Sequence, residues 1–285
     1  MKIGFIGQGF IGKNYADDFE ARGYAIVRYS LEEPFVKNKE EIKECDITFI
    51  AVPAHTTPDG FDDSIIRSAL DIIGEGKIAV IKSTLLPQTT KILQKQYPSI
   101  VVLFSPEFLS EATAAHDAAN PFSNIVGVPT EEERHRVAAE HVHEILPKAP
   151  FVLTCDSDEA EIIKYAHNIS GYTQVIAFNL AYEVAQSMGH DWGNIGKAIA
   201  ADPLVSSRYA NPVHKSGRGA GGHCFIKDFA AFARIYEERV HDAKGVQALK
   251  AFEEKNNDLL IASGKDIDLL QGVYGEDVTG RKDGA

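Results

Sequence analysis

Cysteine is scarce in this chain of 285 residues, which holds only Cys45, Cys155 and Cys224. The three are odd in number and far apart, and no CxxC pair occurs. Neither a disulfide framework nor a metal site is expected. Such usage fits a reducing cytosol. Positive charge is also short: 29 Lys+Arg stand against 41 Asp+Glu, a formal net charge of −12. That balance speaks against general nucleic-acid binding, which needs a basic face. A small phosphate ligand needs only one local basic site and stays open. Long apolar runs are missing, and none approaches the roughly 18 residues of a membrane span, so no membrane association is expected. The opening MKIGFIGQG lacks the apolar region and cleavage site of a secretory signal. Internal repeats and low-complexity tracts are absent as well.

What is present is an ordinary globular mixture, 44% hydrophobic and 25% charged. The length suggests about two domains. Short β-branched runs alternate with helical stretches over the first half. Strands are expected at Lys2–Ile6, Ala25–Tyr29, Ile47–Val52, Ile78–Ile81, Val101–Phe104 and Asn124–Val128. Helices are expected at Ile11–Arg22, Asp63–Ile73 and Glu131–Ile145. This alternation predicts an α/β fold, a Rossmann-type doubly wound parallel sheet over residues 1–156. The pattern then changes. Asp158 followed by Glu161 reads as a capping box, and a helix of about 30 residues, roughly 45 Å long, follows to Gln186. Ile162, Ile163, Tyr165, Ile169, Tyr172, Val175, Ile176, Phe178 and Leu180 face nearly every side of it. Such a helix is expected to be covered all round, partly by a second subunit. An all-α domain with this long central helix is expected over 157–270, and a mobile tail over 271–285.

Gly7-Gln8-Gly9-Phe10-Ile11-Gly12 ends the first strand and opens a helix. That is the context of the dinucleotide fingerprint. Gly7 makes the turn, Gly9 lets backbone approach a pyrophosphate with Phe10 and Ile11 beside it, and Gly12 lets the helix pack on the strand. The second strand should end on an acid for the ribose 2′-hydroxyl, but Ser30 stands there. Arg28 lies two residues earlier on the same face and Glu32 two later. Either Glu32 does the acid's work, or Ser30 makes a weaker contact, or the site takes a 2′-phosphate. NAD is expected, with NADP open.

Four further segments sharpen the reading: Lys82-Ser83-Thr84, Ser105-Pro106-Glu107-Phe108-Leu109-Ser110-Glu111, the stretch around Lys164 and Asn168, and Gly221-Gly222-His223-Cys224-Phe225-Ile226-Lys227-Asp228. Together, and in this order, they resemble the UDP-glucose/GDP-mannose dehydrogenase family over residues 1 to about 260. The PEFL-x-E and GGxCFxKD segments are specific; the glycine fingerprint and KST are not specific alone. The resemblance implies an NAD-dependent, four-electron oxidation of the primary alcohol of a nucleotide sugar to the uronic acid. It also implies a role in polysaccharide biosynthesis, a cytoplasmic location and a homodimer.

By the same resemblance Cys224 is the nucleophile, passing through thiohemiacetal and thioester. Lys164 and Asn168, four apart on one helical face, hold the oxyanion. Glu107 assists thioester hydrolysis, while Thr84 and Asp228 hold the water and the reacting hydroxyl. Thr84, Glu111 and Lys227 come near the cofactor, and Lys227 either acts on the Cys224 thiol or only positions its loop. Phe108, Leu109, Arg208, Lys215, Arg218 and Gly221 join Lys164 and Asn168 as substrate residues. In the loop His214 to Gly222, backbone amides with Lys215 and Arg218 are expected to receive a diphosphate. Cys45 and Cys155 lack such neighbours and read as packing.

Two departures from the family pattern stand out. The family's third, C-terminal α/β domain has no counterpart after Leu270, and the spacer between Ser30 and Asp46 is short. The substrate is smaller or held differently, or a separate polypeptide completes the site, or the chain is a fragment or a degenerate copy. GGHC resembles the branch acting on N-acetylhexosamine nucleotides and FIKD the glucose and mannose branch, which leaves the sugar open. A two-electron hydroxyacid dehydrogenase and a non-catalytic NAD- or nucleotide-sugar-binding module are the competing readings.

Overall fold

The computed structural model describes residues 1–215 and 217–280; Ser216 and residues 281–285 of the expected tail lie outside them. Seven strands form one sheet: β1 (Lys2–Ile6), β2 (Ala25–Tyr29), β3 (Ile47–Ile50), β4 (Ile78–Ile81), β5 (Val101–Phe104), β6 (Ser123–Val128) and β7 (Phe151–Asp156). Their order is β2-β1-β3-β4-β5-β6-β7. The chain reverses its direction of winding between β1 and β3, the switch point where open α/β sheets bind ligands. Helices α1 (Phe10–Ala21), α2 (Ser64–Leu70), α3 (Thr89–Gln96), α4 (Ala114–Ala119) and α5 (Glu133–Ile145) connect the strands. All four residues of β3 are buried, as befits a central parallel strand. Phe5 of β1 lies 5.2 Å from Phe19 of α1 and 5.2 Å from Phe49 of β3, ring centroid to centroid. Each such buried ring contributes on the order of 2–3 kcal/mol.

The sheet differs from expectation in two places. The β5–β6 pair is antiparallel, while the other neighbouring pairs are parallel. Alternating apolar runs set which segments pair, not their direction, and the return after β5 passes through only the six-residue α4. The seventh strand, β7, is not among those expected. It is the sheet edge, with Phe151 and Val152 exposed, so no alternating pattern marks it.

β7 runs straight into α6 (Ser157–Ser187). The capping box sits two residues before the expected one. The Asp156 carboxylate accepts from the Asp158 amide at 2.9 Å, and the Glu159 carboxylate accepts from the Asp156 amide at 3.1 Å. The chain divides into two compact units: Met1–Ala54 with Asp62–Lys164, and His55–Phe61 with the chain from Tyr165 onward. The division thus falls inside α6 and not at its start.

The second unit adds α7 (Gly193–Ala201), α8 (Gly222–Val240), α9 (Ala243–Ser263) and α10 (Ile267–Tyr274). It is not purely helical, since Val213–His214 pairs with Gly217–Arg218 in a short antiparallel ribbon. Tyr172 of α6 stacks on Phe229 of α8 at 3.8 Å, with Ile176 and Leu259 in the same core. Within the single chain α6 is not covered all round: Leu180 and Val184 are 46% and 60% exposed. Within the expected tail, α10 runs to Tyr274 and a short helical turn spans Glu276–Gly280. Leu270 and Val273 are buried against Ile226 and Leu260, and Val278 packs on them.

Candidate functional site

In the first unit, β1 ends at Gly7, whose amide donates to the Tyr29 carbonyl at 2.9 Å. Gly7 has φ +90°, and a Cβ there would run into the Ala51 carbonyl oxygen. A Cβ on Gly12 would strike the Gly7 carbonyl. Both positions therefore require glycine for the tight turn and for helix-on-strand packing. Gly9 is different, because nothing lies within 4 Å of where its Cβ would be. It caps α1 in an extended conformation, with no side-chain cap and no acid in the first turn. No side chain caps the leading amides of α1, and this bare cradle fits an anionic pyrophosphate. Phe10 is exposed beside it and Ile11 half-buried. At the end of β2 the Ser30 hydroxyl closes a turn on Glu32, donating to its carbonyl at 3.0 Å. Glu32 is exposed there.

The loop after β4 carries Ser83 and Thr84, both buried. The Ser83 hydroxyl donates to the Val52 carbonyl at 2.6 Å and accepts from the Val52 amide at 3.0 Å. This pins Thr84 beside the switch point. Lys82 just before it is buried, with its ammonium 3.3 Å from the Ser105 hydroxyl and 4.3 Å over the Tyr15 ring. Burial pushes Lys82 down to about 8.

Glu107 and Lys164 form a buried ion pair at 2.9 Å. The Lys164 ammonium also donates to the Glu107 carbonyl at 2.5 Å, and the other carboxylate oxygen accepts from the Leu109 amide at 2.8 Å. Burial pushes Glu107 up. The Lys164 charge and hydrogen bond, helped by the Leu109 amide and the Lys82 charge, outweigh it and hold the acid below its usual range. The Lys164 ammonium lies 5.4 Å from the Phe108 ring, and Leu109 packs on the core. Glu111 is exposed in the following turn.

Sequence reading placed Glu161, one turn before Lys164, in a helix cap and not in a buried contact. Its buried carboxylate accepts from the Gln88 amide at 2.7 Å and from the Thr90 amide and hydroxyl at 2.9 and 2.6 Å. It thereby ties α6 to the start of α3. Burial, only partly offset by those three donors, pushes it up to about 7. The one local signal is an acid placed among apolar residues of the helix.

In the second unit, Cys224 is exposed in the first turn of α8. Asp228 lies four residues on, on the same face, and is buried. One carboxylate oxygen of Asp228 accepts from the Asn168 amide at 2.5 Å, and the other meets the Lys227 ammonium at 2.5 Å. The carboxylate and the amide donor are thus joined, and the thiol lies one helical turn from them. Cys45 and Cys155 are unlike it, since burial pushes both thiols up to about 11.

The glycine-rich approach to Cys224 departs from the expected diphosphate cradle. Three of its amides are already used by side chains that follow it. Arg218 N donates to the Ser263 hydroxyl at 3.1 Å, Ala220 N to the Asn256 carbonyl oxygen at 2.7 Å and Gly222 N to the Asp266 carboxylate at 2.7 Å. Lys265 closes the clamp on the Gly219 carbonyl at 2.9 Å. A Cβ on Gly221 would strike Asp266. The Arg218 guanidinium turns to α6, donating to Asn179 at 2.8 Å and pairing with Glu183 at 2.7 Å. Lys215 and Arg208 are exposed. Residues 218–222 thus brace the start of α8, and Lys215 and Arg208 are the exposed cations of the expected grip.

Among the described residues no group of His, Cys, Asp and Glu is arranged to hold a metal ion, and no helix is long and apolar enough to cross a membrane.

Comparison with known proteins matches two family models. Residues 32–146 match the UDP-glucose/GDP-mannose dehydrogenase family, NAD binding domain, and residues 158–258 match that family's central domain. The UDP-glucose 6-dehydrogenase TuaD of Bacillus subtilis is 30% identical over 228 residues, covering 75% of this chain and 47% of that protein. The UDP-glucose 6-dehydrogenase AglM of Haloferax volcanii is 25% identical over 298 residues, covering 87% and 68%. The chain thus spans about half to two thirds of the curated relatives it matches. Among solved structures, a UDP-glucose dehydrogenase from Pyrobaculum islandicum superposes with TM-score 0.76 at 23% identity, over 95% of this chain and 70% of that one. A Mycobacterium tuberculosis 3-hydroxyisobutyrate dehydrogenase superposes with TM-score 0.69 at 16% identity, over 99% of both chains. These two likenesses show the fold alone. The bare α1 cradle and the NAD binding model agree on the cofactor, which is NAD. Both models name one family and together span most of the sequence: this chain belongs to the UDP-glucose/GDP-mannose dehydrogenase family.

Proposed function

We propose that this chain oxidises the primary alcohol of a nucleotide sugar to the carboxylate in two NAD-dependent steps. The observation that carries the reading is an exposed thiol, Cys224, one helical turn from the buried Asp228 carboxylate, which holds the Asn168 amide donor. A two-electron alcohol oxidation needs no nucleophile; a four-electron one that passes through a thioester does.

Gly7, Gly9, Gly12 and the first amides of α1 hold the cofactor's pyrophosphate, with Ser30 and Glu32 towards its ribose. Thr84, Glu111 and Lys227 serve nearer its reactive end. Bound NAD supplies the hydride acceptor, once for the alcohol and once for the thiohemiacetal. The chain does the rest. Asp228 orients the reacting hydroxyl and takes up its proton. The Cys224 sulfur then bonds to the aldehyde carbon, and the carbonyl oxygen becomes the hydroxyl of a thiohemiacetal. A helix N-terminus favours the thiolate needed for that attack. Lys164 and Asn168 stabilise the negative oxygen. After the second hydride leaves, the bond to sulfur is a thioester. Glu107, with Thr84, directs water to its carbon, and the carboxylate departs as the thiol is restored. Phe108, Leu109, Lys215, Arg208 and Gly221 are the proposed substrate contacts.

The test is absorbance at 340 nm with purified protein, NAD and a panel of UDP- and GDP-sugars, with the acid product counted. About two reduced cofactors per acid are expected, the ratio that two successive hydride transfers impose. One reduced cofactor per product would establish the hydroxyacid-dehydrogenase reading instead. NADH binding without turnover would favour a binding module, or a site completed by a separate chain.

We also propose a homodimer. Leu180, Val184 and Met188 recur every four residues along the end of α6 and its exit, 46%, 60% and 68% exposed. That spacing makes one apolar stripe. Light scattering should give twice the 31.2 kDa chain mass. Val184→Asp should give the monomer, because a buried unpaired charge is not tolerated at such a contact. A wild-type monomer would refute the assembly.

A further inference from the structure

The second strand ends on Ser30, where a carboxylate would ordinarily exclude a 2′-phosphate, and Arg28 stands two residues earlier on the same face. An arginine in that neighbourhood invites NADP. Its guanidinium is not available, however. Nη1 pairs with the Asp17 carboxylate at 2.6 Å and Nη2 with the Glu20 carboxylate at 2.7 Å. Only 12% of the Arg28 side chain is exposed. Both acids project from α1, three residues apart and so on one face. The second Asp17 oxygen takes the Lys13 ammonium at 2.5 Å. Although burial raises Asp17, the hydrogen bonds from Lys13 and Arg28 hold it below its usual range.

The charges of this patch therefore cancel: Arg28 and Lys13 against Asp17 and Glu20. The next arginine is committed too, since Arg22 pairs with Asp18 at 2.8 Å and donates to the Ile145 carbonyl at 2.8 Å. Beyond the strand Glu32 and Glu33 are exposed, followed by Lys37, which pairs with Glu33 at 3.4 Å, and by Lys39. A phosphate brings nearly two negative charges and would find the Arg28 guanidinium already held by two carboxylates.

We propose that Asp17 and Glu20 set cofactor choice in this chain: by occupying Arg28 they exclude a 2′-phosphate, and they do the work of the acid that Ser30 replaces. The proposal rests on the glycine cradle binding a dinucleotide and adds what selects its 2′ group.

The experiment titrates NADH and NADPH into the full chain and follows nicotinamide fluorescence, which needs no turnover. Wild type should bind NADH at least about tenfold more tightly than NADPH, a difference of the size that one well-placed charge supplies. Asp17→Asn with Glu20→Gln should raise NADPH affinity about tenfold and move NADH less than about threefold. Adding Arg28→Gln to that pair should abolish the gain. An unchanged preference in the double variant overturns the proposal. So does a gain that survives Arg28→Gln, because it would come from lost negative charge and not from a released arginine. Equal wild-type affinities overturn it as well, while leaving the cradle reading intact; failure to bind either nucleotide overturns both. Circular dichroism checks folding, and each single substitution, read in the same way, replaces the double variant should that one unfold.

Discussion

Cys224→Ser should remove net oxidation while leaving NADH affinity unchanged. The thiol is exposed in the first turn of α8, and the oxidation from aldehyde to acid passes through its sulfur. A serine hydroxyl is a far weaker nucleophile near neutral pH without an adjacent base. Loss of a nucleophile lowers turnover by at least about a thousandfold. The cofactor cradle, Gly7 to Gly12, contributes nothing to that loss, so fluorescence titration with NADH is the control. Alkylation adds a check that does not depend on knowing the sugar. Iodoacetamide followed by peptide mass mapping should label Cys224 first. Cys45 is buried, and burial holds both Cys45 and Cys155 at about 11. Full turnover in the serine variant would leave no place for a thioester.

Much of the first unit is legible in the residue order. Lys2–Ile6, Ala25–Tyr29, Ile78–Ile81 and Val101–Phe104 form strands with the expected bounds, because each is an apolar run cut short by glycine or polar residues. The long helix is legible from its missing proline. What escapes local reading depends on contacts made far along the chain. The edge strand Phe151–Asp156 has an exposed face and so no contrast in polarity. Asp158 and Glu161 look like a capping box, yet Asp156 and Glu159 take those parts because the strand enters the helix without a turn. Glu161 is then claimed by Gln88 and Thr90, more than seventy residues away. The basic glycine loop reads as a phosphate cradle until Ser263, Asn256 and Asp266 fill its amides from a later helix and its exit. Motif residues announce which side chains matter. Their partners, which decide whether a charge is free, are a tertiary property.

The other large effect is expected at Lys164, which carries a structural burden besides its proposed one in catalysis. Lys164→Met keeps the bulk and removes the charge, leaving Glu107 buried against one amide. Breaking a buried pair from one side costs about 3–5 kcal/mol, and urea unfolding should show a loss of that size. Lys82 cannot replace the lost contact, because its ammonium is held at Ser105. The pH dependence is the sharper test. In the wild type Glu107 is held below its ordinary value, so the native state binds fewer protons than the unfolded chain just below pH 4.5. Its contribution is then complete above about 4.5 and is lost as pH falls through the lowered native value. In the methionine variant burial acts without its counterweight and raises Glu107. The native state then holds the extra proton, and stability falls as pH rises above about 4.5. The two proteins should therefore diverge between about pH 4.5 and 7, with the variant losing ground as the solution becomes more basic. Glu107→Gln added to Lys164→Met removes the titrating group, so it should flatten that slope and recover part of the lost stability. Parallel stability curves for wild type and Lys164→Met would show that the buried pair contributes nothing to the fold, and the pairing would have to be abandoned as the reason Glu107 stays ionised.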